Sequence, residues 1–71
     1  MNYTQAIKYL KRACKRGFVA YHSGIVSDGD GDYGINIDGD GRDGRLFGCP
    51  TIIWSPDSAE EKFPARKYRK S

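Results

Sequence analysis

Two Asp-Gly clusters ten residues apart, Asp28-Gly29-Asp30-Gly31-Asp32 and Asp38-Gly39-Asp40-Gly41, constrain this chain more than any other feature. Between Asp28 and Asp43 stand six aspartates and five glycines, with Tyr33, Ile35 and Ile37 as the large apolar residues. Two structures suit that composition. The carboxylates could converge on a hard cation, or the glycines could make the turns of a β-meander.

The flanking sequence favours the meander. Tyr3, Ala6, Ile7, Leu10, Ala13 and Cys14 repeat at helical spacing and predict an N-terminal helix with one apolar stripe. Asn2 and Gln5 stand where a capping box needs them, Lys15 and Arg16 suit the negative end of the helix dipole, and Gly17 is a natural stop. Phe18 to Val26 then turns to β-type residues, with Gly24 marking a bulge or a close backbone approach. Tyr33, Ile35 and Ile37 alternate as a second strand. Arg45–Cys49 and Thr51–Trp54 supply a third, interrupted by Pro50. Ser55-Pro56-Asp57 starts a short helix that Pro64 ends, and Ser58 with Glu61 offers a second capping box.

The predicted architecture is α+β: an N-terminal helix packed on a three-stranded antiparallel β-meander, then a short C-terminal helix and a basic tail. Residues 1–64 form one small domain, and 65–71 form a flexible tail carrying Arg66, Lys67, Arg69 and Lys70 around Tyr68. The expected core is Ile7, Leu10, Phe18, Val26, Ile35, Ile37, Ile52 and Trp54. A chain of 71 residues buries little surface, so a metal, a Cys14–Cys49 disulfide or self-association would each help it. Neither cysteine belongs to a CxxC pair, and both are expected as reduced, buried thiols. No apolar run is long enough to span a membrane, and a cytoplasmic location is expected, in the host cell if the chain is phage-encoded.

Charge is segregated along the chain. Residues 1–17 carry five positive charges and no negative one, 18–44 carry six aspartates against Arg42, and 45–71 carry six positive against three negative. Two basic ends flanking an acidic middle suit internal neutralisation or a homo-oligomer.

Asp28, Asp30 and Asp32 occupy the first, third and fifth positions of an EF-hand-like loop. Tyr33 and Gly39 then stand where a turn glycine and a bidentate acid belong. A Ca2+ module built on Asp28, Asp30, Asp32, Asp38 and Asp40 is therefore an alternative to plain turns, and otherwise no cofactor is expected. A third use is protein binding through an acidic surface of Asp28, Asp30, Asp32, Tyr33, Asp38, Asp40 and Asp43. Trp54, Tyr21, Phe47 and Tyr33 build either the core, which is the default, or a binding surface, and Tyr33 is the choice if one of them is exposed. Lys8, Lys11, Arg12, Lys15 and Arg16 form a basic helix face that could meet phosphates, although no helix-turn-helix, RNA-recognition or zinc-finger pattern is present. His22 with Cys14 and Cys49 fits no zinc spacing. No serine or cysteine lies in a nucleophile motif, so an enzyme is not expected.

The chain resembles the small accessory proteins of bacteriophages. Met1-Asn2-Tyr3-Thr4-Gln5-Ala6-Ile7, the basic helix and Gly17-Phe18 look like the start of the Thoeris anti-defence family, and Trp54-Ser55-Pro56 with Ser58 echoes its tryptophan-proline-serine segment. Phe18 stands where that family has tryptophan. Members of the family act as sponges for a cyclised nucleotide signal, so the resemblance implies a small binder. The function expected is a non-enzymatic binding protein, a phage-type inhibitor that occludes a host or defence protein through its acidic loops and basic face. A Ca2+-binding module and a nucleotide or nucleic-acid binder are the alternatives.

Overall fold

The computed structural model describes residues 1–64 and contains α1 (Tyr3–Lys15), β1 (Val19–Ser27), β2 (Tyr33–Asp38), β3 (Thr51–Ile53) and α2 (Pro56–Lys62). The strands form one antiparallel sheet in the order β1-β2-β3, and the helices pack against it. This is the expected α+β domain. The basic tail 65–71 lies outside the described residues.

The capping box starts α1 as its residues require. Asn2 Oδ1 accepts from the Gln5 N–H at 2.7 Å, and Gln5 Oε1 accepts from the Asn2 N–H at 3.0 Å. The buried side of the helix differs from the expected stripe. Ala6, Tyr9 and Ala13 face the core, Ile7 and Leu10 are half-buried, and Tyr3 and Cys14 are exposed. Two alanines let the helix backbone approach the sheet closely. Tyr9 can then be buried because its hydroxyl donates to Glu60 at 2.8 Å.

The core is Met1, Ala6, Tyr9, Ala13, Ile35, Ile37, Ile53, Ala59 and Phe63. Of the expected core, Ile35 and Ile37 are fully inside, Leu10 and Phe18 pack at its margin, and Ile7 and Val26 are half-buried. Ile52 and Trp54 are exposed, which corrects the expectation. The strand period explains Ile52: its neighbour Ile53 pairs with Ile35 on the helix side, so Ile52, opposite Asn36, takes the other face. Trp54 lies on Gly34, where an added Cβ would stand 2.9 Å from the indole ring. Phe63, spaced i, i+4 from Ala59, fills the core instead, and its ring meets Phe18 edge-on at 5.6 Å.

β1 bends at the expected place. Ala20 pairs with Ile37 and Ile25 with Ile35, so residues 21–24 bulge opposite Asn36. His22 (φ 51°) and Ser23 (φ 59°) take left-handed backbone there. Gly24 does so beside α1, where a Cβ would come within 2.9 Å of both Leu10 δ-carbons.

Three further expectations are corrected. Arg45–Cys49 is a loop, and β3 is confined to Thr51–Ile53. The cap of α2 is Ser55, whose Oγ accepts from the Ser58 N–H at 3.2 Å with Pro56 in the first turn, so Ser58 and Glu61 make no second box. Cys14 and Cys49 are free thiols, as expected, but both are exposed rather than buried. No helix among the described residues is long and apolar enough to cross a membrane.

Met1 supplies a tie that the sequence pattern does not show. Its ammonium donates to Asp32 Oδ1 at 2.9 Å, the Trp54 carbonyl at 2.9 Å and the Tyr33 carbonyl at 3.2 Å. Its carbonyl accepts from the Tyr33 N–H at 2.7 Å. One residue thereby joins the start of β2 to the end of β3.

Candidate functional site

The first Asp-Gly cluster closes the β1–β2 hairpin by itself. Asp28 Oδ1 accepts from the N–H groups of Asp30 at 2.8 Å and Asp32 at 3.2 Å, and the Asp28 N–H donates to the Asp32 carbonyl at 3.1 Å. Short side-chain-to-backbone bonds of this kind are what make Asp a turn residue. Asp32 turns to the Met1 ammonium. The Asp30 carboxylate has no such contact among the described residues and faces solvent.

The second cluster begins with a different kind of aspartate. Asp38 is only 2% exposed. Its Oδ1 accepts from the Gly39 N–H at 2.6 Å, and its Oδ2 accepts from Phe47 at 3.1 Å and Gly48 at 2.8 Å. Burial by itself would raise the carboxyl pKa. The N–H groups of Gly48, Gly39, Phe47 and Cys49 together outweigh that and hold it below its ordinary value. These bonds draw the loop between β2 and β3 back onto the strand. They also explain why Arg45–Cys49 is not a strand: two of its amides are committed to Asp38 rather than to a ladder. Farther out, Asp40 and Asp43 each accept from the backbone two residues on and pair with Arg42 at 3.4 Å and Arg45 at 3.5 Å. The Gly44 N–H donates to the Gly17 carbonyl, which seats the loop under the end of α1.

The two clusters lie at opposite ends of β2, which at 3.3 Å per residue separates them by roughly 20 Å. The acidic set Asp28, Asp30, Asp32, Tyr33, Asp38, Asp40 and Asp43 therefore does not form one surface. One ion cannot span Asp28, Asp30 and Asp32 at one end and Asp38 and Asp40 at the other. Among the described residues no group of three His, Cys, Asp or Glu side chains is placed to hold a metal. His22 instead packs against Tyr21, ring centroids 4.5 Å apart.

The basic face divides in the same way. Lys8, Lys11 and Lys15 are exposed, whereas Arg12 donates to Glu60 Oε1 and the Phe63 carbonyl, both at 3.1 Å. Arg16 donates to the Pro64 carbonyl. Two of the five cations thus bind the end of α2 to α1. Tyr33 is half-buried against Tyr3, with centroids at 5.2 Å, and is not the exposed aromatic.

Among the described residues the exposed large apolar side chains are Tyr3, Leu46, Phe47, Ile52 and Trp54. The sequence predicts a strand over 45–49 and gives the core as the default place for Phe47, and the structure puts both Leu46 and Phe47 at the surface. The Leu-Phe pair between Gly44-Arg45 and Gly48 is the signal for a loop tip. Phe47 is 52% exposed while its own N–H is bonded to the buried Asp38 carboxylate. A loop anchored at its base holds two apolar side chains in water. No family model, curated protein or solved structure matches this chain.

Proposed function

We propose that the chain is a small non-enzymatic binding domain that docks on a protein partner through the Asp38-anchored loop, with Leu46 and Phe47 as contact residues. The observation that carries this reading is the pairing of exposure with fixation at Phe47. Adjacent apolar side chains on a pinned loop lose little entropy on docking and leave water when they do. The acidic residues of that loop are neutralised locally by Arg42 and Arg45, so they rim the contact rather than drive it. A phage-type inhibitor occluding a host or defence protein is the form of such a domain that its sequence resemblance suggests.

The test is capture of a partner from cell lysate by wild type, by L46S/F47S and by D30K/D40K, each checked for fold by circular dichroism. The reading expects the apolar variant to lose the partner and the charge variant to keep it. Loss on charge reversal with retention in the apolar variant would return the acidic surface to first place. Asp38 has no place in that reversal, because its charge holds the loop.

One observation favours a second reading. Lys8, Lys11 and Lys15 share the outer side of α1, which carries no acidic residue, and none forms an ion pair among the described residues. Such a stripe suits the phosphates of a nucleic acid. Binding would then weaken steeply with salt, and the triple alanine variant would flatten that slope.

A further inference from the structure

An Asp-Gly peptide bond carries a chemistry of its own. The glycine nitrogen, with no Cβ on its residue to hinder the approach, can close on the aspartate side-chain carbon to give a five-membered succinimide. The chain has five such pairs: Asp28-Gly29, Asp30-Gly31, Asp38-Gly39, Asp40-Gly41 and Asp43-Gly44. The fold restrains four of them. Asp28 accepts from the amides of Asp30 and Asp32, and the Gly29 N–H donates to Ser27 Oγ at 3.1 Å. Asp38 is buried, and the Gly39 N–H is bonded to it. Asp40 accepts from the Arg42 N–H and pairs with the Arg42 guanidinium, while Gly41 lies against Phe18, where an added Cβ would stand 2.7 Å from the ring. Asp43 is held in the same way by Arg45, and the Gly44 N–H donates to the Gly17 carbonyl at 3.1 Å. Asp30-Gly31 differs. Among the described residues neither the Asp30 carboxylate nor the Gly31 N–H has a hydrogen-bond partner, both residues are exposed, and the space beside Gly31 is open.

We propose that Asp30-Gly31 is a modification site, at which the chain isomerises spontaneously from aspartate to isoaspartate. The Gly31 nitrogen bonds to Cγ of the Asp30 carboxyl in its acid form, and the amide hydrogen and the carboxyl hydroxyl leave as one water. A second water then opens the ring. Its addition at Cγ returns aspartate. Its addition at the main-chain carbonyl carbon breaks the bond from that carbon to nitrogen and leaves the chain running through Cβ and Cγ. Nothing is oxidised or reduced, and the carboxylate charge is kept. The product has one extra backbone carbon inside the turn that Asp28 closes onto Asp32, through bonds of 3.2 Å and 3.1 Å. Asp32 also holds the Met1 ammonium, so the lengthened turn loosens the tie between Met1 and the start of β2. The Leu46–Phe47 loop lies beyond the other end of β2, so this proposal and the docking reading fail separately.

Peptide mapping of the full chain during incubation at physiological pH and temperature tests the proposal, with electron-transfer fragmentation to tell the two linkages apart at each pair. In the folded chain isoaspartate is expected at residue 30 about tenfold faster than at any other pair, the rate factor that breaking one restraining hydrogen bond before attack represents. In heavy-oxygen water the products at residue 30 should take up label as the ring opens. In denaturant the restraints are gone, and the five pairs should isomerise at similar rates. Gly31→Ala, whose Cβ hinders the nitrogen, should suppress the product at residue 30. Amide exchange at Tyr33, which donates to the Met1 carbonyl, should quicken in the isomerised chain while Phe47 and Gly48 stay unchanged. The comparison of folded with denatured wild type decides the matter even if G31A disturbs the turn. A folded chain in which another pair leads, or in which the five pairs keep the proportions seen in denaturant, overturns the proposal.

Discussion

The two Asp-Gly loops are written in almost the same residues and are built in different ways. The loop at 28–32 is closed locally: Asp28 bonds amides two and four residues on, Asp30 faces solvent, and the half-exposed Asp32 takes the Met1 ammonium as its one distant contact. The loop at 39–50 is long-range: Asp38 is buried and reaches nine and ten residues ahead for Phe47 and Gly48. The same side chain makes a replaceable turn in one place and an anchor in the other. What separates them is burial, because a carboxylate taken out of water must find its donors within the protein.

The comparison predicts unequal mutational costs. Asp38→Ala should lower the melting temperature most, by about 10 °C or more, since it leaves three amides without their acceptor. Asp28→Ala removes bonds from exposed amides that water can replace, and should cost about 1 kcal/mol. Equal losses at the two sites, measured by thermal unfolding, would break the distinction.

Acid sharpens it. The Asp38 carboxyl is held below its ordinary pKa, so its contribution is complete above the unfolded value of about 4 and is lost as pH falls through the folded value. Stability should therefore decline below about pH 4, and Asp38→Asn should flatten that decline. Tyr9 behaves oppositely at the alkaline end. Its hydrogen bond to Glu60, with burial and the Glu60 charge adding to it, raises its pKa above 10.0. Its contribution is present below about pH 10 and lost above it, and Tyr9→Phe should remove this alkaline phase. The smallest expected effect is Asp30→Lys, within about 0.5 kcal/mol by denaturant unfolding.

Calcium offers a further way to break the comparison. Loops at opposite ends of β2 cannot share an ion, so a calcium titration followed by amide NMR should not move both along one saturation curve. Coincident, magnesium-resistant shifts at Asp28–Asp32 and Asp38–Asp40 would contradict the separation.

What the sequence makes legible is local. The Asn2–Gln5 box, the bulge at Gly24, the alternation of Ile35 and Ile37 and the helix start at Pro56 all depend on neighbours within a few residues. The place of Ile52 and the cap of α2 also follow from local geometry, whereas the other differences come from contacts made far along the chain. The helix stripe was displaced because Tyr9 finds Glu60, fifty-one residues away, and because Ala6 and Ala13 permit close packing. Residues 45–49 form no strand because Asp38 takes their amides. The candidate loop has the same origin: with the Phe47 and Gly48 amides held by Asp38, Leu46 and Phe47 stand on an exposed loop rather than on a strand.

The most direct measurement is amide hydrogen exchange at Phe47 and Gly48 in wild type and in Asp38→Asn. Asparagine keeps one oxygen acceptor but presents an NH2 group at the other position. The account predicts protected Phe47 and Gly48 amides in wild type, and loss of that protection in the variant with Asp30 and Asp32 unchanged. Phe47 and Gly48 amides that exchange freely in wild type, or that stay protected without the Asp38 charge, would contradict it.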